Sequence, residues 1–208
     1  MNELTVRALT GAIMIMTALL AAYVGGDALA IFVAAVATAM FYEWTRIVRG
    51  WNPAWYVWGF LYALLPALAL LWIRERGGLD LLVWAFIVTW STDIGAYFAG
   101  RRFGRRKLAS SISPNKTIEG LYGGMAAATL FGGAWVLAVG LNKGMLAFPP
   151  LFAIAAQMGD LFESWMKRRA GIKDSGNWLP GHGGVLDRLD GLVPVAVLTA
   201  VAQLMGLT

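Results

Sequence analysis

The sequence LDLLVWAFIVTWSTDIGAYFA, residues 79 to 99, has the length and composition of a helix that crosses a lipid bilayer. A membrane-spanning helix takes about 20 consecutive, mainly apolar residues. Asp93 lies well inside the stretch, where an unpaired carboxylate is costly, so its side chain is expected to face the protein interior and find a partner. A polar contact that joins neighbouring helices is the alternative to a role in a site.

The rest of the chain repeats this pattern. It is 59% hydrophobic and 14% charged, whereas soluble domains are roughly 45–50% apolar and about 25% charged. We predict an all-α, polytopic transmembrane helical bundle of about seven spans, forming a single integral-membrane domain, residues 1–208. The first segment runs on into others and is expected to be a retained anchor. The predicted spans cover residues 8–24, 28–47, 54–73, 79–99, 118–140, 145–165 and 191–207.

Basic residues predict the orientation, because Lys and Arg are enriched in short cytoplasmic loops. With the amino terminus inside, fourteen of the seventeen fall on the cytoplasmic side, and only Arg74, Arg76 and Lys143 fall on the other. The long polar connections, residues 100–117 and 166–190, then face the cytoplasm. We predict an integral protein of the cytoplasmic (inner) membrane. The chain has no cysteine, which excludes disulfides and thiolate chemistry.

A dense run of charge, SWMKRRAGIKDSGNWLPGHGGVLDRLD at residues 164–190, stands directly against apolar sequence. Cations can hold anionic oxygens, and carboxylates are hard ligands for a divalent metal. The run therefore predicts phosphate chemistry assisted by a metal ion. Its cations are Lys167, Arg168, Arg169, Lys173 and Arg188, and its carboxylates are Asp174, Asp187 and Asp190.

Just before this run and at its start, four polar residues share one face of the sixth predicted helix. Asp160, Glu163, Ser164 and Lys167 fall within about 100° of arc at helical spacing. A carboxylate at a membrane edge tends to mark an ion or substrate site, and Ser164 and Lys167 beside it suit a metal together with a phosphate oxygen. The alternative is a solvated helix end.

The segment from Pro180 to Gly184, PGHGG, precedes Asp187, Arg188 and Asp190. Its glycines would let backbone amides approach an anion closely. An ordinary glycine-rich turn before a helix is the alternative, because acidic residues favour helix N-termini anyway. The lone histidine, His182, is more often a hydrogen-bonding loop residue than a ligand or a base.

Residues 113–120, SPNKTIEG, lead into the fifth predicted span. They put Lys116 and Thr117 at a helix N-terminus, whose free amides suit a phosphate. The preceding basic cluster, residues 101–107, is interpreted as a topology determinant that contacts lipid headgroups. Glu43, between Tyr42 and Trp44, fits an interfacial aromatic belt as well as a site, and it is interpreted as structural.

Taken together, three stretches resemble the phosphatidate cytidylyltransferase (CDP-diacylglycerol synthase) family: residues 93–104, residues 113–120 and residues 159–190. The third is the most specific match, and the resemblance is good over roughly the last 120 residues. Asn115 stands where the family usually has lysine, and the chain is shorter than most members. The third match consists of Ser164, Lys167, Arg168, Lys173, Asp174, Gly176, Pro180, His182, Gly183, Gly184, Asp187, Arg188 and Asp190.

The resemblance implies transfer of the cytidylyl group of CTP to phosphatidic acid, giving CDP-diacylglycerol and pyrophosphate. It implies Mg²⁺ held by Asp160 and Asp187, with K⁺ as a possible second cation, a homodimer among membrane lipids and no nucleic-acid partner. Lys116 and Lys167 join the two aspartates as expected catalytic residues. Substrate binding is expected from Ser113, Thr117, Ser164, Arg168, Lys173, His182, Arg188 and Asp93, with Asp174 and Asp190 supporting the loop.

Three alternatives remain open at this point. A relative could use another lipid phosphate, such as an isoprenoid-ether phosphatidate. A CDP-alcohol phosphotransferase is disfavoured, because its DGxxAR core is absent. An ion transporter could also place Asp93, Asp160 and Asp187 in its interior, although transport usually leaves repeated or broken-helix architecture behind, and no such repeat is visible.

Overall fold

The computed structural model describes residues 3–208 and is predominantly helical. Within these residues, seven helices longer than ten residues follow the seven predicted apolar segments in order, so each predicted segment is confirmed as a helix. In chain order the elements are α1 (Glu3–Val24), α2 (Gly26–Ile47), α3 (Ala54–Trp72), a π turn (Ile73–Gly77), α4 (Gly78–Phe103), β1 (Lys107–Ala109), β2 (Ser113–Thr117), α5 (Ile118–Val139), a 3₁₀ turn (Lys143–Ala147), α6 (Pro149–Arg169), α7 (Leu186–Leu189) and α8 (Leu192–Leu204).

Four helical stretches of the described chain are long and apolar enough to cross a membrane: Thr5–Val24, Gly26–Ile47, Ala54–Phe103 and Ile118–Val139. The third combines α3, the π turn and α4. Helix α8 has only 13 residues, and α6 carries its charges in its second half. The all-α, membrane-type fold is therefore confirmed, while the number of spans stays a prediction.

A small antiparallel hairpin interrupts the helical fold between α4 and α5, and the sequence pattern did not predict it. Strand β1 pairs with β2 through Lys107 with Thr117 and Ala109 with Ser113. Thr117 then acts as the N-cap of α5, because its Oγ1 accepts a hydrogen bond from the Gly120 amide at 3.0 Å. The hairpin thus fixes where Lys116 leaves the backbone.

Two buried clusters support the bundle. The larger one contains residues of all seven long helices, and Leu82, Trp84 and Ala153 are among its members. The smaller one contains Trp44 of α2, Met166 of α6 and Leu186 of α7. Because these three large side chains are almost fully buried against one another, the end of α6 and the short α7 are held against α2.

Helices α4 and α5 pack closely through small residues. A Cβ added at Gly123 of α5 would clash with the Cβ of Ala99 and come within 2.8 Å of the Gly95 carbonyl oxygen. The backbone of α4 leaves no space for a larger side chain there. This contact matters for the site, because α4 carries Asp93 and α5 begins two residues after Lys116.

Gly123→Val is therefore expected to lower the stability of the protein by about 1–3 kcal/mol, the usual cost of forcing extra atoms into a packed interior. Thermal unfolding in detergent measures the effect. The matched control is Gly133→Ala on the same helix, where the added Cβ meets Leu146 at 3.5 Å, an ordinary contact distance. Equal melting temperatures for Gly123→Val and the control would contradict the close packing of α4 on α5.

Candidate active site

A lysine from the hairpin and an aspartate from α6 form the first part of the site. Lys116 Nζ lies 2.6 Å from Asp160 Oδ2, and the Ser164 hydroxyl donates to Asp160 Oδ1 at 3.3 Å. Asp160 and Ser164 are one turn apart on α6, so their contact confirms the shared helix face expected from their spacing. The Asp160 side chain keeps 32% of its surface exposed, which leaves it open to a ligand.

Gln157 connects this pair to Asp93 and was not anticipated from the sequence. Its side chain accepts from Lys116 Nζ at 2.7 Å and donates to Asp93 Oδ1 at 3.5 Å. Gln157 lies one turn before Asp160 on α6 and is 4% exposed. A glutamine inside an apolar helix could have signalled this role. The expected partner of Asp93 is thus an amide.

Asp187 lies at the centre of the second part of the site. Its Oδ1 is 2.5 Å from Lys167 Nζ, and its Oδ2 accepts from the Ser175 and Gly184 amides at 2.9 and 2.8 Å. Burial alone raises the pKa of Asp187, but the hydrogen bonds from Lys167 and Gly184 outweigh burial and hold that pKa below its usual range. Asp187 is therefore a carboxylate near neutral pH.

Lys167 also lies 3.3 Å from Glu163 Oε1, one turn earlier on α6. Glu163 is 1% exposed, and neither of its carboxylate oxygens has a hydrogen-bond partner within the described residues. The lysine therefore serves two buried carboxylates at once. Glu163 and Lys167 therefore lie on the face of α6 that contacts Asp187 of α7, in agreement with the predicted polar face.

Asp190 completes a group of acidic residues around α6. Its Oδ1 accepts from the Gly191 amide at 2.8 Å. Burial and the negative charge of the neighbouring Asp160 raise the pKa of Asp190 above its usual range. Asp160 and Asp187 each contact a lysine of their own, Lys116 and Lys167 respectively. They belong to the same end of the bundle and are linked through α6.

The glycine-rich segment differs from the anion cradle that its composition suggested. The Gly184 amide binds Asp187, and the amides of Val185 and Leu186 bind the carboxylate of Glu43 at 2.9 and 2.8 Å. These amides are occupied by the protein's own carboxylates. His182 packs near Gly11 of α1, and its carbonyl oxygen accepts from Arg188 Nε at 2.9 Å.

Several other predicted site residues have contacts outside the two lysine pairs. Arg168 donates to the carbonyl oxygens of Ile112 and Ile172. Lys173 and Asp174 are exposed, Ser113 lies at the start of β2, and the hydroxyl of Thr117 is used in capping. Their roles in binding a substrate stay predictions.

Glu43 is structural, as interpreted from the sequence, but it does not belong to an interfacial aromatic belt. Its side chain is fully buried, at 0% exposure, and it binds the segment that carries Asp187. A carboxylate within an apolar helix was the available signal. Its two aromatic neighbours suggested an interfacial belt instead. Tyr42 is exposed, as such a belt requires, whereas Trp44 is buried.

An apolar cavity of about 350 Å³ adjoins the site. It lies among α1, α2, α3 and α4, and Asp93, Arg188 and Asp190 stand at its polar end. Such a cavity can take a hydrocarbon chain while a charged headgroup meets the polar side chains. Its apolar walls include Ile13, Phe32, Val36, Pro66, Leu70 and Phe86.

Known proteins are similar to this chain in sequence. Residues 51–205 match the model of the cytidylyltransferase family. The chain belongs to that family. A phosphatidate cytidylyltransferase of Brucella suis is 38% identical to it over 95% of this chain and 92% of the relative. The Pseudomonas aeruginosa protein of the same name is 42% identical over 76% of this chain and 60% of the relative, and that of Bacillus subtilis is 45% identical over 56% and 44%.

Membership of the cytidylyltransferase family confirms the resemblance drawn from the three motifs. The match also extends further than the last 120 residues, because the Brucella suis alignment includes 95% of the chain. Glu43 lies before the residues matched by the family model, whereas Lys116, Asp160 and Asp187 lie within them.

Proposed function

We propose that this protein is a CTP:phosphatidate cytidylyltransferase, which transfers the cytidylyl group of CTP to phosphatidic acid. The observation that carries the proposal is the pair of carboxylates, Asp160 and Asp187, each bound to a lysine beside an apolar cavity. Binding of a triphosphate requires cations, and binding of a lipid phosphate requires cations together with an apolar surface. Relatives that align over most of the chain are phosphatidate cytidylyltransferases.

The reaction requires that the two substrates are positioned and that the charge of their phosphates is neutralised. An oxygen of the lipid phosphate forms a bond to the α-phosphorus of CTP, and the bond from that phosphorus to the pyrophosphate oxygen breaks. The attacking oxygen is already anionic, so no strong protein base is needed, and catalysis rests on orientation and electrostatics. Lys116 and Lys167 are available to exchange their aspartate partners for phosphate oxygens, and Arg188 stands at the polar end of the cavity.

Mg²⁺ is the metal we propose, with Asp160 and Asp187 as its protein ligands. Within residues 3–208, no three Asp, Glu, His or Cys side chains group closely enough to hold a metal ion unaided. Two aspartates fit Mg²⁺ by their chemistry, because this ion keeps several waters and is bound by one or two carboxylates plus substrate phosphates. When bound, the ion would polarise the α-phosphoryl group and neutralise pyrophosphate. K⁺ is proposed as a second cation.

The proposed site faces the cytoplasm, in an inner-membrane protein of about seven spans that forms a homodimer. The contact of Arg168 with Ile112 joins the two long polar connections, and the contact of Lys116 with Asp160 joins the first of them to α6 at the same end of the bundle. The topology predicted from the sequence assigns fourteen of the seventeen basic residues to the side that carries these connections, as a cytoplasmic face requires. CTP would enter from this side, and phosphatidic acid from the surrounding lipid.

The test is an assay of the purified protein with CTP, phosphatidic acid and Mg²⁺. We expect release of pyrophosphate together with a lipid that carries labelled CMP. Removal of divalent metal with EDTA should abolish both signals, and excess Mg²⁺ should restore them. A matched reaction with an isoprenoid-ether phosphatidate distinguishes the related lipid substrate. Stabilisation against heat by simple ions, with none from CTP and Mg²⁺, would instead favour a transporter.

A further inference from the structure

Glu43 of α2 is a buried carboxylate that the chemistry above does not use. Its Oε1 accepts from the Val185 amide at 2.9 Å, and its Oε2 accepts from the Leu186 amide at 2.8 Å. None of the ion pairs formed within residues 3–208 includes Glu43. Burying a carboxylate without a cation is costly unless strong hydrogen bonds compensate. Its contacts with residues 175–186 must supply that compensation.

The backbone of this loop is shaped around the Glu43 carboxylate. A Cβ added at Gly184 would come within 2.5 Å of Glu43 Oε2 and would clash with the Ser175 hydroxyl. A Cβ at Gly176 would likewise clash with Glu43 Oε1. The two glycines therefore allow the chain to approach the carboxylate from both sides.

Ser175 links Glu43 directly to the catalytic carboxylate. Its hydroxyl lies 2.9 Å from Glu43 Oε2 and 3.0 Å from Asp187 Oδ2, and its single proton can serve either oxygen. The Ser175 amide donates to the same Asp187 oxygen at 2.9 Å. Asp187 and Glu43 consequently bind one loop and share one of its donors, the Ser175 hydroxyl. Displacement of either carboxylate would therefore disturb the loop that holds the other.

We propose that Glu43 is a positioning residue that fixes the loop of residues 175–187, so that Asp187 presents its Oδ1 toward Lys167 and the metal. The catalytic consequence of this proposal rests on the proposed function. Its structural part, the fixing of the loop, rests on the contacts of Glu43 alone. Both carboxylate oxygens of Glu43 accept hydrogen bonds from this loop. Glu43 acts through the Val185 and Leu186 amides and through Ser175.

Glu43→Gln tests this role with little change in shape. The glutamine amide keeps one acceptor oxygen but turns an NH₂ group toward a loop donor. We expect the Mg²⁺ concentration for half-maximal activity to rise about 10- to 100-fold, as when a residue that orients a metal ligand is replaced. The Michaelis constant for phosphatidic acid should stay unchanged. Ser175→Ala in the Glu43→Gln background should add little, because both act on one loop.

Thr199→Val is the matched control. Thr199 is fully buried on α8, and its hydroxyl binds the Val195 carbonyl of its own helix, so this variant should keep the wild-type Mg²⁺ requirement. Hydrogen–deuterium exchange gives a readout independent of activity: Glu43→Gln should speed exchange in residues 175–187, while the control should not.

A wild-type Mg²⁺ requirement in folded Glu43→Gln, or activity lost only in proportion to unfolded protein, would overturn the positioning role. Unchanged exchange in residues 175–187 would also overturn it. If the wild-type protein itself fails to transfer CMP to lipid, the proposed function is wrong, and the exchange comparison alone then decides whether Glu43 fixes the loop.

Discussion

Asp160→Asn is expected to reduce the incorporation of CTP into lipid by about two to three orders of magnitude, the usual loss when one preorganised electrostatic group is removed from a site. The substitution keeps the shape of the side chain and removes its charge. Lys116 would lose its ion-pair partner at 2.6 Å, and the proposed Mg²⁺ would lose a ligand. The assay follows labelled CMP in extracted lipid.

Folding should survive this change, because the Asp160 side chain is one-third exposed and the amide can still bind Lys116 and Ser164. The matched control is Asp27→Asn, because Asp27 is an exposed residue in the first turn of α2. This variant should incorporate CTP into lipid at the wild-type rate. The protein should accumulate in the membrane to wild-type levels in both variants. Near-normal turnover in Asp160→Asn and in Asp187→Asn would refute the assignment of the metal ligands.

The helices could be predicted because their cause is local. An apolar run of about 20 residues satisfies its own backbone hydrogen bonds as a helix, and this criterion located all seven long helices. The polar face of α6 was predictable for the same reason. Asp160, Ser164 and Lys167 recur at helical spacing, and the structure joins them to one site.

The contacts of Glu43 and of Lys116 depend on partners far apart in the chain. Glu43 binds the Val185 amide across 142 residues, and Lys116 binds Gln157 across 41. No spacing rule connects such positions. The glycines of residues 181–184 were assigned to an external anion for the same reason, since composition indicates that an anion lies close but not which one.

The number of membrane spans illustrates a different limit. Hydropathy alone marked α6 and α8 as spans, yet α6 is charged through its second half and α8 is short. Both helices carry or flank the groups that bind Lys116 and Lys167. Polar residues of the candidate site therefore occupy positions at which a helix surrounded by lipid would have apolar residues.

Lys167→Met is the second change with a large expected effect. Its ammonium neutralises Asp187 at 2.5 Å and Glu163 at 3.3 Å, and both carboxylates are almost fully buried. Removing one partner of a buried ion pair leaves an uncompensated charge and costs about 3–5 kcal/mol. We expect a markedly lower melting temperature in detergent and loss of CMP transfer. Lys143→Met, at an exposed position in the 3₁₀ turn, is the matched control.

A second substitution separates the electrostatic cause from the catalytic one. Glu163→Gln in the Lys167→Met background removes one uncompensated carboxylate, so part of the lost thermal stability should return. Activity should not return with it, because the phosphate oxygens of CTP would still lack the Lys167 ammonium. Wild-type stability in Lys167→Met, or a further decrease on adding Glu163→Gln, would show that Lys167 does not neutralise this pair.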